Sequence, residues 1–475
     1  MTAVYLGVAL IGFLAFLTWE PKVKALVSFV LMMQFFDAAP NLLFGMYVWD
    51  YGAILMLITA IELFFRTPVQ EPVKHGYLVA LRIFLAWMTV CFLWSLLVYR
   101  YDVVHTIKNA RYMVLGYFMT LVFIRLFAVQ PGSFEFLMKW IYRLTFVLMP
   151  VVVLQFLARK QLLFGLVSEY EGALRDVPVF LPFCLLNFWI IGTKLLSSER
   201  LAAHEYVYAS LVLATVALTF TRGIYIAVVF TAGLLVWTMF WNKTLKASSL
   251  VMVAGCAMLL LVGVVASGAA QRVAGRALSG LQLLSPPDSS IPGSRKDDTF
   301  NGRLGLAAER FSLVWERNPL IGYGFIHEDD VPSELRNSLK FGTALGGTAA
   351  DPTAYSRSYA YSGNYVLGFY TADIAWADIV ISTGWIGVVL LIILLATFAS
   401  GHYLHGDRAH SMGYAVKTGL FLQIAMMVLL TFDGNNFYTA VHIPALLLAG
   451  YSLAGTRSAI SRAPEIRARF TNILK

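Results

Sequence analysis

Charge is scarce in this chain. Only 13% of its 475 residues are Asp, Glu, Lys or Arg, about half the usage of a soluble domain, whose surface must be solvated. Cysteine is scarcer still: Cys91, Cys184 and Cys256 all fall inside apolar runs, a pattern of buried thiols and not of a disulfide framework. Neither a Gly-rich phosphate loop nor a His/Cys/Asp cluster with ligand spacing occurs, so no metal and no other cofactor is expected. The net charge of +9 is dispersed among apolar stretches, which fits anchoring at a membrane interface and gives no reason to expect nucleic acid as a partner.

What is present is hydrophobicity, 59% of the residues with a mean hydropathy of +0.71. Apolar runs recur from end to end, each long enough to cross about 30 Å of hydrocarbon at about 1.5 Å per residue. In lipid every backbone polar group must pair within its own segment or in a closed barrel. These runs do not alternate as barrel strands do. The expected fold is therefore all-α and polytopic, with 12–13 spans, read near 3–19, 24–38, 49–65, 77–99, 108–128, 134–158, 177–195, 202–220, 222–241, 247–267, 374–398, 412–432 and 436–454. The domains that follow are a bundle of about ten spans over 1–267, a long polar loop over 268–373, C-terminal spans over 374–454 and a basic tail over 455–475.

Lys and Arg in short loops set orientation. The tail carries Arg457, Arg462, Arg467, Arg469 and Lys475 against Glu465, so it is expected in the cytoplasm. Counting back puts Arg408, Lys243 with Lys246, Lys194 with Arg200, Arg66 with Lys74, and Lys22 with Lys24 on that side. Residues 268–373 and the turn at Thr221–Arg222 then face outward, as does the mixed-charge segment 159–176. The first run has no basic residue before it and no small-residue cleavage site after it, so it reads as an uncleaved span.

The long loop holds ten Lys/Arg and eleven Asp/Glu. Residues 268–284 read as an amphipathic helix with Arg272 and Arg276 on one face. A second covers GRLGLAAERFSLVWERNPLIGYGF, ended by Pro319 and Gly322. The stretch 338–368 is a Gly/Tyr/Ser-rich loop suited either to carbohydrate contacts or to simple flexibility.

Arg222, in TFTRGIYIA between two apolar runs, is the sharpest residue. An arginine there costs a few kcal/mol unless it snorkels or pairs with an anion. It is either a turn residue reaching headgroups or a guanidinium fork for a phosphate. TFTRGIYIA resembles the Ser/Thr-Arg-Gly motif of the O-antigen ligase and polymerase superfamily of bacterial envelope glycosyltransferases. The segment from Arg303 to Asn318-Pro319-Leu320-Ile321-Gly322-Tyr323-Gly324 is similar to that family's large-loop motif. The stretch from Ser382 to Leu391 is similar to the end of its third motif. The three come in the family's order over roughly 200–400. One departure stands out: where the family's ligases open the third motif with a His, this chain has Asp373, followed by Asp378.

The resemblance implies transfer from a polyprenyl-diphosphate-linked glycan to a hydroxyl of an acceptor glycan, outside the bacterial inner membrane, without metal. Arg222 and Arg303, helped by Arg272 and Arg276, would hold the diphosphate. Asp373 or Asp378 would take the acceptor's proton, with His327 in GYGFIHEDD a weaker base. Asp378 could equally be half of a structural ion pair with Arg222 or Arg303, and His327 merely solvated. The missing His favours a polymerase of O-antigen or exopolysaccharide over a ligase to lipid A core or protein. Two other classes compete. A lipid-linked glycan flippase would use intramembrane charges such as Arg82, Arg111, Lys139 and Arg143, though no internal repeat is visible. A scaffold for polysaccharide assembly proteins would tolerate loss of the charged residues.

Overall fold

The computed structural model describes residues 12–32, 48–66, 76–130, 132–158, 167–170, 173–176, 180–197, 199–219, 222–245, 297–345, 359–361, 366–370, 375–404 and 412–430, with the single residues 160 and 178. The spans expected at 247–267 and 436–454, the basic tail, the segment of Arg272 and Arg276, and Asp373 lie outside the described residues. For Arg111, Arg222 and Arg303 the backbone is described and the side chain is not.

The apolar runs fold as helices: α1 (Pro21–Met32), α2 (Val48–Arg66), α3 (Gly76–Leu97), α4 (Val103–Val129), α5 (Ser133–Ala158), α6 (Leu181–Leu196), α7 (Ala203–Leu218), α8 (Arg222–Trp241), α9 (Asp297–Arg317), the short α10 (Ser333–Asn337), α11 (Ala375–Leu404) and α12 (Met412–Leu430). Among the described residues, Gly76–Leu97, Ser133–Ala158, Ile224–Trp241 and Ala375–Gly401 are long and apolar enough to cross a membrane, and five shorter apolar helices accompany them. Large side chains that a soluble protein would hide face outward, among them Phe65 at 85% and Val229 at 72% exposure. Lipid is the medium in which that surface costs nothing. The protein is a nearly all-helical polytopic membrane protein, as the all-α reading of the sequence expects.

Helix α4 starts at Val103, five residues before the apolar run suggested, because Asp102 caps it: the Asp102 carboxylate accepts the His105 N–H at 2.9 Å. Helix α1 packs on α2, α3 on both α4 and α11, α9 on α11, and α12 against α6 and α8. Polar links join segments that the charge count assigns to one side. Lys24 Nζ pairs with Glu62 at 2.6 Å, Lys194 Nζ with Glu205 at 2.8 Å, and Asn242 Nδ2 donates to the Tyr414 hydroxyl at 3.1 Å. The Lys22 N–H reaches Gln130 Oε1 at 3.1 Å.

Among the described residues, two small sheets are added to the helices. Strands β1 (Val167–Tyr170) and β2 (Ala173–Asp176) form an antiparallel hairpin in what reads as a mixed-charge loop. In the Gly/Tyr/Ser-rich region, β3 (Phe341–Leu345) lies between β4 (Tyr359–Tyr361) and β5 (Val366–Leu367). Loop composition hid these strands; their Phe, Thr, Tyr and Val residues suit a pleated surface.

Helix α11, read from the sequence as one unbroken span, is broken. Gly384 takes φ 64°, ψ −172° in its middle, leaving two half-helices, Ala375 to Thr383 and Trp385 onward. A break at membrane depth stands only where the freed backbone groups find partners.

Candidate functional site

Those partners come from the Asn-Pro-Leu-Ile-Gly-Tyr-Gly turn. Helix α9 stops at Arg317, with the Asn318 N–H closing on Val314 O at 3.0 Å and Pro319 unable to continue the ladder. The turn then docks into the break. The Trp385 N–H donates to Pro319 O at 2.9 Å and the Tyr323 N–H to Ile381 O at 2.7 Å. From α3, Trp87 Nε1 donates to Thr383 O at 2.9 Å, and just beyond it the Tyr99 hydroxyl donates to Gly322 O at 2.8 Å. The Phe325 N–H reaches Ser95 Oγ at 2.9 Å. Gly322 and Gly324 hold φ +71° and +68°, in the left-handed region that favours glycine. Two of the motif segments thus form one backbone joint, braced by a helix that carried no recognisable motif.

Arg310, on the helix that leads into the joint, is fully buried. Its Nε and Nη2 donate to the carbonyls of Phe369 and Gly368 at 2.8 and 2.9 Å, and Nη1 pairs with Glu309 at 2.6 Å. Burial pulls its basicity below the usual arginine level; the carboxylates of Glu309, Asp378 and Glu328 oppose that. It stays a cation in any case. Glu328 holds the same segment from the other side, accepting the N–H groups of Phe369 and Tyr370, each at 2.8 Å. Asp378, in the first turn of α11, is 1% exposed. Tyr370 lies 3.4 Å from Ser382 Oγ, its hydroxyl pushed well above the ordinary tyrosine range by burial.

The third feature joins α4 to the end of the motif turn. The His105 and His327 rings stack with centroids 4.4 Å apart. His105 Nδ1 meets Asp330 at 3.1 Å, and His327 Nδ1 lies 3.2 Å from Asp329 Oδ2.

Of the residues singled out in the sequence, Arg222 opens α8 and Arg303 lies in α9, two turns before Arg310 by helical register. The fold brings Asp378 within electrostatic reach of Arg310, and His327 against His105. Arg310 went unnoticed in the sequence, although a signal existed: it falls in the buried stripe Leu306, Arg310, Leu313, Val314 of an amphipathic helix, where a charge needs a partner. His105 carried no local signal.

The described residues thus form a helical membrane bundle with a broken span, clamped by a polar loop whose Arg310 is fully buried against backbone carbonyls and Glu309. Residues 207–392, from α7 into α11, match the family model described as O-antigen ligase, which supports the resemblance to the O-antigen ligase/polymerase superfamily. No curated protein matches the chain.

Proposed function

We propose that the protein transfers a glycan from a polyprenyl diphosphate to a hydroxyl of an acceptor glycan, on the extracytoplasmic side of a bacterial inner membrane, as in O-antigen or exopolysaccharide polymerisation. The observation that carries this reading is the docking of the Asn318–Gly324 turn into the break at Gly384 inside the family-matched segment. That joint anchors α9, which holds Arg303, onto α11, which holds Asp378.

In the proposed reaction the donor's diphosphate lies against Arg222 and Arg303, with Arg272 and Arg276 adding positive charge nearby. A cation at a helix N-terminus opposes the helix dipole, so Arg222 at the start of α8 is best balanced by an anion. The acceptor oxygen attacks the anomeric carbon, the bond to the diphosphate breaks, and its electron pair leaves with the phosphate, where the guanidinium groups stabilise the growing charge. The configuration inverts. The acceptor's proton passes to a base. Burial of Asp378 within electrostatic reach of Arg310 supports a holding role for it, which leaves Asp373, with His327 in reserve, to receive that proton. The donor is already activated, so the reaction is written without metal or nucleotide.

A second reading, attachment of finished polymer to lipid A core or to protein, is favoured by the printed description of the matched family. The lipid-linked glycans of a cell lacking the protein decide between them. Single repeat units accumulating support the polymerase, and full-length unattached polymer the ligase. Normal polymer, attached as usual, would sink both; donor trapped on the cytoplasmic leaflet would mean a flippase.

A further inference from the structure

We infer that His105, His327 and Asp329 form a binding site for a divalent transition-metal ion, with Asp330 orienting His105. A bound ion would take His327 out of its reserve role as base and leave the proton of the proposed transfer to Asp373; the site ties the start of α4 to the segment that follows the motif turn. One ligand atom from each of the three residues can be chosen so that all lie within 4.8 Å of one another.

The chemistry of the set is specific. Asp330 Oδ1 and Oδ2 lie 3.1 and 3.2 Å from His105 Nδ1, so the proton of a neutral ring sits on Nδ1 and the Nε2 lone pair is left free. That is the carboxylate–histidine arrangement that orients metal-bound imidazoles. His105 Nε2 lies 4.0 Å from Asp329 Oδ2, too long for a hydrogen bond and suited to two ligands with an ion between them. Asp329 Oδ2 is also 3.2 Å from His327 Nδ1. The two imidazoles stack at 4.4 Å, close enough for one shared ion to use both as neutral donors. Two nitrogen ligands and one oxygen suit zinc and its neighbours over magnesium or calcium.

The backbone holds the ligands in place independently. Asp102 caps α4 one turn from His105, and Glu328, next to His327, is fixed by the Phe369 and Tyr370 N–H groups and by Arg336 at 3.3 Å. Because the two histidines come from elements more than 200 residues apart in the chain, spacing could not reveal the set.

The test uses the full-length protein in detergent micelles, stripped with a chelator and titrated with Zn²⁺ and, separately, with Co²⁺. The expected result is one ion per chain, with a visible Co²⁺ absorption band and a rise in thermal midpoint. His105→Ala and His327→Ala should each abolish binding and band. Asp330→Asn, which leaves the ligands intact and serves if an alanine variant does not fold, should weaken binding about 10-fold or more. His402→Ala with His405→Ala should bind as the parent does. Absence of a stoichiometric ion, or a Zn²⁺ affinity unchanged in His327→Ala and Asp330→Asn, overturns the site.

Discussion

Gly322 and Gly384 are packed so closely that neither can carry a side chain. A Cβ on Gly322 would lie 2.4 Å from Ile381 O, and one on Gly384 would lie 2.1 Å from Leu320 O and 2.7 Å from the Gly322 nitrogen. Both glycines also hold positive φ. The glycines shared with the family motifs are therefore a mechanical joint between the loop and the broken span.

Gly322→Ala and Gly384→Ala should each prevent normal assembly. The left-handed conformation alone costs about 1–2 kcal/mol for alanine, and the facing atoms are backbone that cannot step aside. Gly233, in α8 with nothing within 4 Å of its Cβ position, is the control: Gly233→Ala should be neutral or stabilising by up to about 1 kcal/mol. Thermal unfolding in detergent reads both, and an unaltered midpoint for Gly384→Ala would contradict the joint.

Arg310→Met should destabilise by about 3–5 kcal/mol, the usual effect of removing one partner of a buried charge set. Arg310→Lys should recover little, because an ammonium cannot serve both the Phe369 and Gly368 carbonyls in the plane the guanidinium uses. Denaturant midpoints measured at fixed lipid content check the order parent, Lys, Met.

The Lys194–Glu205 pair, with side chains 9% and 5% exposed, offers a cleaner cycle. Lys194→Met alone should cost about 3–5 kcal/mol by stranding the Glu205 carboxylate, while Lys194→Met with Glu205→Gln should regain most of it. Additive single effects would mean that the pair is solvated.

Arg222→Ala and Arg303→Ala should each lower transfer by about 100-fold or more, on the scale of losing one stabilising donor to a developing anion. Lysine should not restore it, since it lacks the bidentate fork. The readout is polymer length and yield with a reconstituted lipid-linked donor. Full activity in Arg222→Ala removes that residue from the mechanism.

The charge count predicts sidedness. A cysteine at Lys340 should react with a membrane-impermeant maleimide added to spheroplasts, and one at Arg200 only after lysis. The opposite pattern would invert the proposed topology.

Much of the fold is legible in the sequence because the membrane makes the rule local. An apolar run must satisfy its own backbone, so Ser133–Ala158 or Leu181–Leu196 can be read without knowing its neighbours. The end of α9 is local too, since Asn318-Pro319 stops a helix wherever it occurs. The sequence determined the membrane class, the order of the motif segments and the position of the polar loop. Only the tertiary structure decided what those segments do to one another. The break at Gly384 depends on Pro319 and Tyr323, and the burial of Arg310 on carbonyls at 368 and 369. The His105–Asp330 contact spans 225 residues of chain. Hydropathy is a property of a single segment, whereas a broken span, a buried charge and a paired imidazole are each stable only once a distant partner has arrived.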